Sequence, residues 1–97
     1  MNTLRGEVAL MLGDETYTLC LTLGALAQIE TLLGCKSLDE LQLRFRQLSS
    51  AELIAILKIL LIAGGSDPKQ ITAAWLESIP PNLASQSVAD AFDAALG

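Results

Sequence analysis

Residues Leu53–Ala63 read LIAILKILLIA, and Lys58 is the sole polar side chain in that run. A helix apolar on every face has to be covered on every face. This one is too short to cross a bilayer, which takes about 20 such residues. Its limits are written on either side. Ser49 with Glu52 three residues on spells a capping box, and Gly64-Gly65 followed by Ser66-Asp67-Pro68 ends the run. The pattern predicts a central buried helix. Lys58 shares a stripe with Ile54, Leu61 and Ile62. If its ammonium reaches water, those neighbours need cover from another helix or another chain.

Upstream, two alternating runs precede the helices. Arg5–Leu12 puts Val8, Leu10 and Leu12 on one face, with Glu7, Ala9 and Met11 on the other. After a Gly13-Asp14-Glu15 turn, Thr16–Thr22 sets Tyr17, Leu19 and Leu21 against Thr16, Thr18, Cys20 and Thr22. Two such runs joined by a short Gly-Asp turn predict a β-hairpin, and a lone hairpin needs helices under its apolar face. The period then turns helical over Leu23–Leu33, with Leu26, Ile29 and Leu33 on one face and Gly34 as the stop. Ser37 and Glu40 spell a second capping box, opening a helix that carries Leu38, Leu41, Phe45 and Leu48 on its apolar side. Leu43 lies off that stripe beside Arg44 and Arg46, which makes the trio a candidate docking patch.

Downstream, Asp67 as cap and Pro68 in the first turn predict a helix bearing Ile71, Trp75 and Ile79, closed by Pro80-Pro81. A last helix is expected from about Ser85 to Leu96, with Val88, Phe92 and Leu96 at i, i+4, i+8 and Asp90 and Asp93 outward. The expected architecture is α+β: an N-terminal two-stranded β-hairpin over residues 5–22, packed on four to five short helices over residues 23–97, all in one domain.

Composition narrows function by exclusion. The 97 residues carry a net charge of −5, and an isoelectric point near 4.4 argues against binding a phosphate backbone, which calls for a basic footprint. Hydrophobic content of 52% and mean hydropathy of +0.47 are high for a free-standing monomer and predict apolar surface that meets a partner. There is no histidine, which removes the commonest general base and the commonest transition-metal ligand. Cys20 and Cys35 lack CxxC spacing, and Gly64-Gly65 is not followed by the Lys-Ser/Thr of a phosphate loop. No enzyme, cofactor, metal, nucleic-acid partner or membrane span is expected. The absence of a charged-then-apolar leader predicts a cytoplasmic chain with reduced thiols.

Part of the chain resembles a known family. Arg5-Gly6-Glu7-Val8, the Tyr17-Thr18-Leu19 strand, Leu21–Glu30 (LTLGALAQIE), Ser37-Leu38-Asp39-Glu40-Leu41 and the helix ending in Ala63-Gly64-Gly65 are similar to the small phage-tail and gene-transfer-agent family. Its members are described as tail assembly chaperones or tail tube proteins. The resemblance spans roughly residues 4 to 65, and beyond Ser66 it lies in helical character more than in detail. It implies a prophage or gene-transfer-agent protein acting in the bacterial cytoplasm, where it would keep the tape-measure protein soluble until tube subunits polymerise. The competing expectations are a structural tail tube component retained in the particle and a generic homodimeric interaction module. Tube subunits and a second copy are further partners these readings allow. Ile54, Lys58, Leu61 and Ile62, together with Leu43, Arg44 and Arg46, are the expected partner-binding residues.

Overall fold

The computed structural model describes residues 7–96. Its elements are β1 (Glu7–Leu12), β2 (Glu15–Cys20), α1 (Leu23–Leu33), α2 (Leu38–Arg44) running into a 3-10 turn (Phe45–Gln47), α3 (Ser50–Ala63), α4 (Ala73–Glu77) and α5 (Pro81–Leu96). The α+β expectation holds. The expected start of the first strand at Arg5 lies outside the described residues.

β1 and β2 pair antiparallel, with Leu12 opposite Glu15, so the turn is two residues and Glu15 already belongs to the strand. Gly13 takes φ +60° while no described non-glycine residue has positive φ. Glycine in the first central position is the pattern of a II′ hairpin turn, whose twist matches that of the strands. The pairs Val8–Leu19 and Leu10–Tyr17 share one face, and Leu10 and Leu19 are fully buried there. Ala9, Met11 and Thr16 face outward as expected, but Cys20 is buried where the strand end descends with Leu21 into the core.

α3 is the hub. Its capping box is complete: the Ser49 hydroxyl accepts from the Glu52 N–H at 3.1 Å, and the Glu52 carboxylate accepts from the Ser49 N–H at 2.9 Å. Ile56, Leu57, Leu60 and Leu61 are buried to within 1% of complete, each worth about 1.5–3 kcal/mol in apolar transfer. α3 packs against β2, α1, α4 and α5, while α5 also covers β1. α1 has the expected limits, with the Thr22 hydroxyl accepting from the Ala25 N–H at 3.0 Å and Gly34 closing the helix in the left-handed region at φ +71°. At α2 the second capping box is only half made. The Ser37 hydroxyl accepts from the Glu40 N–H, but the Glu40 carboxylate reaches past Ser37 to the Lys36 N–H at 3.0 Å.

The C-terminal third departs from the periodicity. Asp67 does not start a helix. Its side chain accepts from the Lys69 N–H and its carbonyl from the Gln70 N–H, closing a local turn. The cap is Thr72, whose hydroxyl accepts from the Trp75 N–H at 3.2 Å, and this shortens α4 to Ala73–Glu77. Pro80-Pro81 opens α5 instead of closing α4: Pro81 is its first residue, and the Pro80 carbonyl accepts from the Ala84 N–H. Proline suits that position because the N–H it lacks has no intrahelical acceptor there. Trp75 is half-buried and packs its ring on Tyr17, centroids 5.0 Å apart.

The two terminating glycines divide the work. Gly65 supplies the left-handed backbone at φ +107°, whereas Gly64 has an ordinary helical φ of −82°. Gly64 is required for space: a Cβ there would sit 2.0 Å from the Thr18 carbonyl oxygen. Gly64→Ala therefore has to push β2 off α3 and is expected to cost about 1–3 kcal/mol, a fall of at least ~4 °C in the melting temperature. Gly24→Ala, where the new carbon meets nothing nearer than the Thr22 hydroxyl at 3.9 Å, is expected to raise stability by up to ~1 kcal/mol. Thermal melts of the two variants check both signs.

Candidate functional site

Among the described residues no cluster of three His, Cys, Asp or Glu side chains could hold a metal, and no buried side-chain nitrogen or oxygen lacks a hydrogen-bond partner. Large apolar side chains stay exposed in separate regions of the surface.

One such region is the groove between α1 and α3. Its α1 wall is formed by Gly24, Ala27, Gln28, Thr31 and Leu32, and its α3 wall by Lys58, Ile59, Ile62 and Ala63. Leu23 extends the α1 row at the i, i+4, i+8 spacing of Ala27 and Thr31, and it is 83% exposed. Ile62 retains 36% of its surface. The groove exists because α1 turns Ala25, Leu26 and Ile29 into the core and leaves its next row toward water. α3 has no polar face to offer in return. A second region is a crevice of about 120 Å³ where α3 meets α4 and α5, lined by Leu53, Ile54, Leu57, Leu76, Ile79 and Ala84 among others.

The expected stripe of Ile54, Lys58, Leu61 and Ile62 is thus split three ways. Lys58 and Ile62 meet in the α1–α3 groove, Ile54 lines the crevice, and Leu61 is fully buried, so it drops out of any docking surface. The reason is angular. Lys58 and Ile62 lie one turn apart, four residues, whereas Leu61 is rotated toward β2 and the core.

The trio around α2 also separates. Leu43 stands 70% exposed, and Arg46 lines a cleft with Phe45, Phe92, Asp93 and Leu96. Arg44 turns the other way: its guanidinium forms an ion pair with Glu52 and donates to the Gln47 carbonyl at 2.7 Å. It therefore ties α2 to the cap of α3, and charge reversal at Arg44 would disturb the fold as well as any docking. Phe45 stacks on Phe92 with centroids 4.2 Å apart, fixing the 3-10 turn against α5. What periodicity missed is the share of α1. Leu23, Ala27 and Leu32 lie off its buried stripe, and the only signal in the sequence was a helix with too many apolar residues for one face.

A family profile described as "Phage tail tube protein, GTA-gp10" matches residues 5–97. The chain belongs to that family. Searches of curated proteins and of solved structures return no match. The family match runs through α4 and α5, well past the end of the similarity legible in the sequence near residue 65. Its description speaks for a tail component and favours the tube reading over the assembly-chaperone reading. Among the described residues no helix is long and apolar enough to cross a membrane.

The ion pair generates a pH test. The Ser49 N–H foremost, with Arg44 adding, holds the Glu52 carboxyl below its usual value, against an opposing push from desolvation. A carboxyl depressed in the folded state adds stability that is complete above its unfolded value and is lost as pH falls through the folded one. Wild-type stability is expected to fall as the pH drops below about 4.5. Glu52→Gln should show a flatter profile there and lower stability at pH 7. Denaturant melts across pH 3–7 (roughly, the carboxylate range and above) check the slope.

Proposed function

We propose that this family member is a non-catalytic structural component of the tail tube, held in the particle by protein–protein contacts. The observation that carries this reading is the family match across residues 5–97. The uncovered α1–α3 groove supports a role in binding, since exposed apolar surface of this kind is used for contact with other chains. On this reading the chain is made in the bacterial cytoplasm, and its partners are other tail proteins.

A second reading is favoured by one feature of the surface. The apolar groove lies on an acidic chain of net charge −5, a combination that suits a soluble holder of an apolar helical client. In that role the protein would bind the tape-measure protein and release it as tube subunits polymerise.

Quantitative mass spectrometry of purified particles separates the two. A fixed copy number comparable to that of other tube-wall proteins is the expected result for a structural component. Absence from particles, with a soluble tape-measure complex on co-expression that disappears when tube subunits are added, would transfer the role to the chaperone. Absence from particles without any such complex would overturn both.

A further inference from the structure

We infer that the α1–α3 groove is a docking site for an amphipathic helix of another protein, one that lays apolar side chains along Ala27, Ile59 and Ile62 and presents a carboxylate to Lys58. The inference deepens the binding role proposed above by specifying the partner's chemistry.

Shape comes first. Both walls are helices, and the sheet contributes no residue to the lining, so an added strand finds no hydrogen-bonding edge here. The mode that fits is helix-in-groove. α1 has 11 residues, a wall of about 16 Å or three turns, which a partner helix of similar length can follow.

Charge selects the occupant. Among the described residues Lys58 is the one charged side chain lining the groove. Lys58 stands exposed, and the salt bridge found among the described residues is Arg44–Glu52, elsewhere on α3, so no described carboxylate pairs with it. In the free protein water solvates its ammonium. A partner covering Ile59 and Ile62 strips part of that water, which is unfavourable unless the partner returns a negative charge. A second copy is the poorer occupant. A two-fold contact uses the same patch on both subunits, so it would bring two Lys58 ammonium groups into an apolar seam whose lining holds no carboxylate to meet them. The chain's net charge of −5 also disfavours a broadly acidic partner, leaving an apolar helix with a local carboxylate.

The test uses three synthetic amphipathic helical peptides of about 18 residues, long enough to hold a helix, with Glu, Gln or Lys at the centre of the apolar face. Fluorescence anisotropy measures their binding to the wild-type chain, Lys58→Glu, Lys58→Gln and Ala27→Trp. The wild-type protein should bind the Glu peptide about fivefold more tightly than the Gln peptide and the Lys peptide least. Lys58→Glu should invert the order, Lys58→Gln should abolish the preference, and Ala27→Trp should weaken all three by filling the groove. Circular dichroism checks that each variant is folded, and both mutated positions are exposed. Equal affinities for the three peptides, no binding of any, or an order unchanged by both Lys58 substitutions would overturn the inference. So would a wild-type dimer in sedimentation that Ala27→Trp dissociates, which would give the groove to a second copy. None of these results depends on particle composition, so failure here is distinct from failure of the tail-tube reading.

Discussion

The contact between Gly64 and the Thr18 carbonyl fixes the distance between the hairpin and α3, and most of the remaining packing follows from that distance. With no side chain at Gly64, the last turn of α3 can lie directly on the β2 backbone. Leu60 and Leu61 then reach the apolar face carrying Leu10 and Leu19, and all four are fully buried. α5 also packs on β1, and its Val88 and Phe92 are buried in the same core. A two-stranded sheet is too small to be stable alone. Here it becomes one wall of a core whose other walls are helices.

A second constraint acts at the opposite end of α3. Glu52 completes the capping box with Ser49 and also binds Arg44, so one carboxylate caps α3 and anchors the end of α2. The Arg44 bond to the Gln47 carbonyl holds the 3-10 turn that brings Phe45 onto Phe92. Surface ion pairs alone contribute little. This one matters through geometry, because it shares an acceptor with a helix cap. It also explains why Arg44, which the sequence presents as a surface cation beside Arg46, is not available to a partner in the same way.

How much of this was legible varies with the kind of signal. The hairpin, α1 and α3 could be read because alternation, helical period and caps agree there, as in Thr22 with Ala25 and Ser49 with Glu52. From Asp67 to Pro81 the sequence signals compete. Asp67-Pro68 and Thr72 are both credible helix starts, and Pro80-Pro81 can end one helix or begin the next. Tertiary packing of Ile71 and Leu76 decides between them, and that is not local information. The candidate site was legible in one half. Lys58 and Ile62 stood out as the weak point of an apolar helix, but Leu61 could not be separated from them without the actual angle of burial. The α1 wall was hidden for a related reason. A helical period shows which face is most apolar, and it does not show that a second, less apolar face has been left without a neighbour.

That second face links the fold to the tail family. From Leu53 to Ala63, α3 carries no polar side chain except Lys58, so this run would need neighbours around its whole circumference. The hairpin, α1, α4 and α5 supply most of that cover, and the sector at Lys58, Ile59 and Ile62 receives only the flank of α1. An ordinary monomeric domain would place polar residues in such a sector, because apolar surface there weakens solubility without adding to the core. Retaining Ile59 and Ile62 beside a single cation is a poor solution for an isolated chain and a sound one for a chain that works in an assembly. On the tail role proposed above, the missing cover would come from another subunit, and Lys58 would limit which apolar helix can supply it.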